Sequence, residues 1–273
     1  KYYVTKNDSA IIAFTTGKKS ELKEGLKIIG AHTDSPAIKI KPKPEFEDED
    51  YYLKLNAELY GRPILNTWFD RPLTLAGRVS VLKDGDLENV NINFEDPLMI
   101  IPNLAIHLNK DVNQEGKIDK KKGLRALITQ DLNNEKEEKA DSNNIKSYPE
   151  FSVKALIEKF SDYKAEEIVE SELYLYPNQK AQFLGAKKEY ISARHQDNLA
   201  MVHAALSSIS SAEAQKWTQM AVFYDNEEIG SHTPQGADSP FAGDLIERII
   251  YNLGAEKEDY YRIIEKSFLF FCS

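Results

Sequence analysis

Leu26-Lys27-Ile28-Ile29-Gly30-Ala31-His32-Thr33-Asp34-Ser35-Pro36 is the stretch whose reading decides the fold. Apart from Lys27 its first part is continuously apolar, as in a strand covered on both faces. Where the strand ends, a His and an Asp follow two residues apart. Imidazole is a good zinc ligand, and its second ring nitrogen needs a partner that fixes the tautomer. The Asp34 carboxylate is placed for that role. By itself the tripeptide is more commonly an ordinary loop histidine beside a turn aspartate.

Working outward, Tyr2–Thr5 and Ala10–Thr15 are short β-branched or aromatic runs separated by turn residues such as Asn7-Asp8 and Gly17. From Ile38 the texture changes. Lys39–Lys43 alternates basic and other residues, Glu45–Asp50 is acidic, and Tyr51–Tyr60 and Leu73–Val81 look like strands joined through Gly61-Arg62-Pro63. Residues from about 110 to 122 and from about 133 to 144 read as exposed loops. Beyond Ile191, Leu199, Val202, Ala205, Leu206 and Ile209 have helical spacing, Gln219–Tyr224 is a buried-strand candidate, and Leu245–Leu253 is a second helix candidate. Strand–helix alternation at both ends with a β-rich stretch between predicts an α/β domain interrupted by an insertion. The expected domains are residues 1–40 with 186–273, and an inserted 41–185.

The composition narrows the function. With 41% hydrophobic residues among 273, a core can form. A net charge of -9 argues against nucleic acid as a partner. Cys272 is the only cysteine, which rules out a disulfide within the chain and any site of several thiolates, so a metal would sit on His, Asp and Glu. No apolar run approaches the ~20 residues of a membrane span, and Lys1-Tyr2-Tyr3-Val4 is strand-like rather than a signal peptide. A soluble, cytoplasmic protein is expected.

Two more stretches can do chemistry. In Ser192-Ala193-Arg194-His195-Gln196-Asp197-Asn198-Leu199, Asp197 either caps the following helix or bridges two metal ions. In Val222-Phe223-Tyr224-Asp225-Asn226-Glu227-Glu228-Ile229-Gly230-Ser231, an apolar strand delivers two adjacent glutamates. Side chains of adjacent residues at a strand end diverge, so one carboxylate can bind metal while the other serves as general base. Elsewhere such a pair is solvated surface.

Taken in this order, the stretches resemble the aspartyl aminopeptidase / aminopeptidase I family of dinuclear zinc exopeptidases. The resemblance runs along essentially the whole chain. It includes Tyr2-Tyr3-Val4-Thr5, His32-Thr33-Asp34-Ser35-Pro36, Trp68-Phe69-Asp70-Arg71-Pro72-Leu73, Ala76-Gly77-Arg78-Val79, Ile101 to Leu108, Asp197-Asn198-Leu199 and Asp225 to Ser231. The family usually shows Arg-Leu-Asp-Asn, whereas Arg194-His195-Gln196-Asp197-Asn198 carries an extra residue and a Gln in place of the apolar one.

The resemblance implies a zinc-dependent aminopeptidase acting on peptide substrates. His32 would ligate one zinc, Asp197 bridge both, and Glu228 ligate the other. Glu227 would be the base, with Asp34 assisting. His107 would reach the substrate in a neighbouring subunit, although the residues alone favour a structural strand or helix histidine. The implied fold is a zinc-peptidase domain, a mixed sheet flanked by helices, with a β-rich inserted dimerisation domain. Dimer-based self-association into a dodecamer is implied as well. The family would supply two further ligands, an Asp and a His, after an apolar strand like Ser267–Ser273, so the chain is expected to be part of a longer protein. Two alternatives remain: another family of dinuclear zinc peptidase, or an inactive relative of this fold acting in assembly.

Overall fold

The computed structural model of the chain describes residues 1–49, 51–113, 118–130, 151–213 and 216–272. The expected loop at about 133–144, and residues 114–117 of the loop at about 110–122, lie outside them. In chain order the strands and helices are β1 (Tyr2–Lys6), β2 (Ala10–Thr15), β3 (Leu26–His32), β4 (Ala37–Asp48), β5 (Tyr52–Tyr60), β6 (Leu73–Lys83), β7 (Asp86–Asn93), β8 (Ala126–Gln130), α1 (Val153–Phe160), β9 (Ile168–Pro177), β10 (Gln182–Leu184), β11 (Tyr190–Ser192), α2 (Gln196–Ser211), β12 (Thr218–Tyr224), α3 (Phe241–Asn252), α4 (Lys257–Lys266) and β13 (Phe268–Cys272). They fall into two compact units, one made of Lys1–Ser35 with Ala181–Ser273, the other of Pro36–Lys180. Among the described residues no helix is long and apolar enough to cross a membrane.

The first unit is built on a five-stranded sheet of order β1-β2-β12-β3-β13. β12 and β13 run parallel to β3, while β2 runs antiparallel to β1 and β12. Side chains alternate across a strand, and β12 uses both faces. Met220 and Val222 join Ile12, Phe14 and Leu26 against Ile246, Ile249 and Ile250 of α3 and Ile263 of α4. Ala221 and Phe223 join Ala31 against Ala205 and Ile209 of α2. Helices therefore cover both faces, and β3, with Gly30, Ala31 and His32 all buried, is the doubly covered strand its sequence predicts. Gly30 is needed for a close approach. A Cβ there would lie 2.5 Å from the Phe271 ring of β13.

The second unit is a six-stranded antiparallel sheet of order β7-β6-β9-β4-β5-β8. Its core joins Ile38, Ile40, Leu55, Leu73, Leu75, Val79, Val81, Leu173 and Leu175 with Val153, Leu156 and Ile157 of α1. Ser152 starts α1 by accepting the N–H of Ala155 at 3.1 Å, a side-chain N-cap. The expected domain boundary at Lys41 lies within one element. β4 runs through it, with a register shift between Ile40 and Glu45 over Lys41-Pro42-Lys43-Pro44. Proline has no N–H for the ladder, so strand prolines gather at such irregularities.

Candidate metal centre

β3 and β12 are parallel neighbours that end together, Tyr224 pairing with His32. The Thr33 N–H and Oγ1 both donate to the Tyr224 carbonyl, at 2.8 and 3.0 Å. The segments that follow the two strands thus leave from the same carboxyl-terminal edge, the usual ligand-binding edge of an α/β sheet.

His32 is buried, with 1% of its side chain exposed. Its Nδ1 lies 3.1 Å from the main-chain carbonyl of Asp34 and 3.3 Å from Asp34 Oδ1. Both are acceptors, so Nδ1 is placed to donate to them. Nε2 faces Asp197 Oδ1 at 3.5 Å and Glu227 Oε2 at 3.9 Å.

The Asp34 carboxylate has a further task that its spacing from His32 does not reveal. Oδ1 accepts the N–H of Glu227 and Oδ2 the N–H of Glu228, each at 3.1 Å. The two glutamates do not sit on the strand end but on a short 3₁₀ turn, Glu227–Ile229, entered through Asn226 at φ 63°. Their carboxylates therefore do not diverge. One donor atom each from His32, Glu227 and Glu228 come within 4.8 Å of one another. Burial, followed by the charges of Glu227, Asp34 and Asp197, raises the Glu228 carboxyl above its ordinary range, and His32 opposes the shift.

Asp197 stands before α2 proper, since Asp197 and Asn198 have non-helical backbone angles (φ -82°, ψ 113° and φ -112°, ψ 15°). Its carboxylate is 78% exposed and turned toward His32. Among the described residues it caps no backbone N–H of the helix, and its main-chain carbonyl accepts Ser35 Oγ at 3.1 Å. The buried neighbour is Asn198, 3% exposed, whose Nδ2 donates to the Cys272 carbonyl at 2.7 Å. Sequence reasoning passed over Asn198. The available signal was a polar residue entering an otherwise apolar helix face.

Four of the expected site residues, His32, Asp34, Glu227 and Glu228, are thus bonded or clustered together, with Asp197 beside them. His107 belongs to the second unit, exposed in the turn Ile106–Leu108 between exposed Leu104, Ile106 and Leu108. The centre offers one imidazole nitrogen and carboxylate oxygens, a donor set zinc accepts. Zinc bonds are about 2.0–2.2 Å long, and the donors gathered within 4.8 Å lie near the spacing of groups around such a centre.

Comparison with known proteins agrees with this chemistry. The family model described as Aminopeptidase I zinc metalloprotease (M18) matches residues 1–272. The "Probable M18 family aminopeptidase 2" of Clostridium novyi is 44% identical over 272 residues, which cover 98% of this chain and 60% of that protein. The protein of the same name from Clostridium acetobutylicum is 43% identical over 271 residues, again 98% and 60%. The chain thus spans about 60% of the length of these relatives. Among solved structures, an M18-family aminopeptidase from Thermotoga maritima superposes with a TM-score of 0.77 at 29% identity, covering 98% of this chain and 57% of that one. The mApe1 structure from Chaetomium thermophilum gives 0.86 at 25% identity, covering 99% and 62%.

Proposed function

Because the chain belongs to the aminopeptidase I zinc metalloprotease (M18) family, we propose that the protein containing it is a zinc-dependent aminopeptidase that removes N-terminal residues from peptides. The observation that carries this reading is the meeting of His32, Glu227 and Glu228 donor atoms within 4.8 Å, at the edge where β3 and β12 end. His32 through Nε2, Asp197 and Glu228 would hold zinc, with the Asp197 carboxylate shared between two ions. When bound, zinc polarises the scissile carbonyl and makes a water nucleophilic near neutral pH.

The chain's own residues do the rest. Asp34 holds Nδ1 of His32 protonated, which leaves Nε2 free to ligate. The same carboxylate fixes the main chain of Glu227 and Glu228. Glu227 is the general base. Its Oε2 takes a proton from the attacking water and returns one to the departing amine. The surrounding carboxylates favour a substrate end that carries a cation, the free α-amino group.

The inserted unit is assigned to dimerisation, and His107 to a partner's site. Its support is the exposed apolar collar of Leu104, Ile106 and Leu108 around His107. Self-association through such a surface is part of the proposal.

The test is a comparison of peptides with free and acetylated N-termini, incubated with the full-length protein before and after chelation. Release of the first residue from the free peptide only, lost on chelation and restored by zinc, is expected. Cleavage of acetylated peptides at the same rate would overturn the assignment.

A further inference from the structure

The turn carrying Glu227 and Glu228 is held from one side by Asp34. Its other side is held by a loop that closes on Asn226. That residue adopts a left-handed conformation, φ 63° and ψ 26°, which asparagine tolerates better than most residues. Its Oδ1 accepts two hydrogen bonds, from Thr233 Oγ1 at 2.7 Å and from Gln235 Nε2 at 3.0 Å. Its main-chain carbonyl accepts the Ser231 N–H at 2.8 Å, and its own N–H donates to Asp225 Oδ1 at 2.7 Å. Gln235 is itself doubly used. Its main-chain carbonyl accepts the Asp225 N–H at 3.1 Å, and its Oε1 accepts Asn7 Nδ2, in the β1–β2 turn, at 3.0 Å. The loop is drawn tight at its far side, where a Cβ on Gly236 would lie 2.2 Å from the Ser231 carbonyl.

These bonds converge on the one residue that precedes Glu227. We infer that Asn226 is a positioning residue for the metal centre: its side-chain oxygen, gripped by Thr233 and Gln235, sets the angle at which the chain presents the Glu227 and Glu228 carboxylates to the ion and to the attacking water. Asn226 touches neither reacting atoms nor metal and acts through the two glutamates. Hydrogen-bond partners of this kind orient ligands and tune affinity. The inference rests on the zinc aminopeptidase reading of the site given above.

Two perturbations from opposite ends of the same bonds test it in the full-length protein. Asn226→Gly keeps the left-handed backbone accessible and removes the amide. Thr233→Val together with Gln235→Leu keeps the amide and removes both donors. Zinc affinity by titration calorimetry, kcat, KM and melting temperature are read for each, with Thr233→Ser as the conservative variant. Both perturbations should weaken zinc binding and lower kcat by about 10-fold or more, with KM and melting temperature near wild type. Combining them should lose little beyond either alone, as for groups in one network, and Thr233→Ser should behave as wild type.

Zinc affinity and kcat within about twofold of wild type in either perturbation would overturn the inference. So would losses that track a fall in melting temperature, or that multiply fully on combination. If Asn226→Gly does not fold, the Thr233/Gln235 pair decides alone. A wild-type protein that neither binds zinc nor cleaves peptides would instead remove the reading on which the inference rests, and that result is visible without any variant.

Discussion

Asp34 Oδ1 accepts the backbone N–H of Glu227 at 3.1 Å, joining two residues 193 positions apart in sequence. Oδ2 takes the N–H of Glu228 at the same distance. One carboxylate thus uses both oxygens to fix the turn that carries the proposed base and a proposed ligand, and its residue also faces His32 Nδ1. Asparagine at this position keeps the shape but presents an NH2 group to one of the two N–H donors. Leaving a buried donor unpaired costs about 1–3 kcal/mol. Asp34→Asn should therefore lower stability by that order and weaken zinc binding about 10- to 100-fold. Zinc titration checks this, and an unchanged affinity would mean the carboxylate does not organise the centre.

Glu227→Gln separates binding from proton transfer. The amide occupies the same space but cannot accept the proton. Turnover should fall about 100-fold or more, the scale of losing a general base, while zinc content stays near wild type. Full activity in this variant would take the base role away from Glu227.

Asp197 and Asn198 are adjacent and should fail in opposite ways. The Asp197 carboxylate is largely exposed and faces His32, so Asp197→Ala should abolish zinc binding with little change in the stability of the metal-free protein. Asn198 is buried and bonds to the last strand, so Asn198→Ala should cost about 1–2 kcal/mol of stability. Denaturant unfolding with chelator present reads the second, and metal analysis the first. Tight zinc binding by Asp197→Ala would return Asp197 to an ordinary loop residue.

His107 tests the assembly proposal. Chains carrying His107→Ala and chains carrying Glu227→Gln should each be inactive. Mixed and allowed to exchange subunits, they should regain activity through hybrid sites. No recovery after exchange has been verified by mass would count against a partner role.

The first unit was largely legible because its strands and helices carry a strong pattern. Leu26–His32, Thr218–Tyr224 and α3 were each foreshadowed by apolar runs or helical spacing. α4 was missed because it is short and mostly polar, with Ile263 its one buried residue, although its sequence is amphipathic. The expected boundary at Lys41 falls inside β4, where the strand bulges across two prolines. At the centre, residue types announced the donors. Their supports did not show, because the Asp34, Asn198 and Asn226 hydrogen bonds link segments by tertiary geometry rather than by spacing. Asp197 shows the same limit. An aspartate before a helix reads as a cap, and only the non-helical backbone at Asp197 and Asn198 turns it elsewhere.

Glu172 gives the second unit a testable pH dependence. It lies on β9 opposite Arg78 of β6 and beside Lys39 of β4, accepting Lys39 Nζ at 2.7 Å and the Tyr174 hydroxyl at 3.0 Å, with Arg78 Nη2 at 3.5 Å. Burial alone pushes its carboxyl up. The hydrogen bond and charge of Lys39, with help from Tyr174 and Arg78, outweigh burial and hold it below the ordinary value of 4.5. As pH falls, the unfolded chain therefore takes up this proton before the folded one does. The stabilisation is present above about pH 4.5 and is lost as pH drops through the folded value. The side chain is 40% exposed, so the effect is modest and weakened by salt. Glu172→Gln should melt below wild type at neutral pH, with the gap narrowing as the pH is lowered past 4.5. Melting curves of both proteins across that range measure it, and a gap that stays constant with pH would show that the ion pairs contribute nothing to folding.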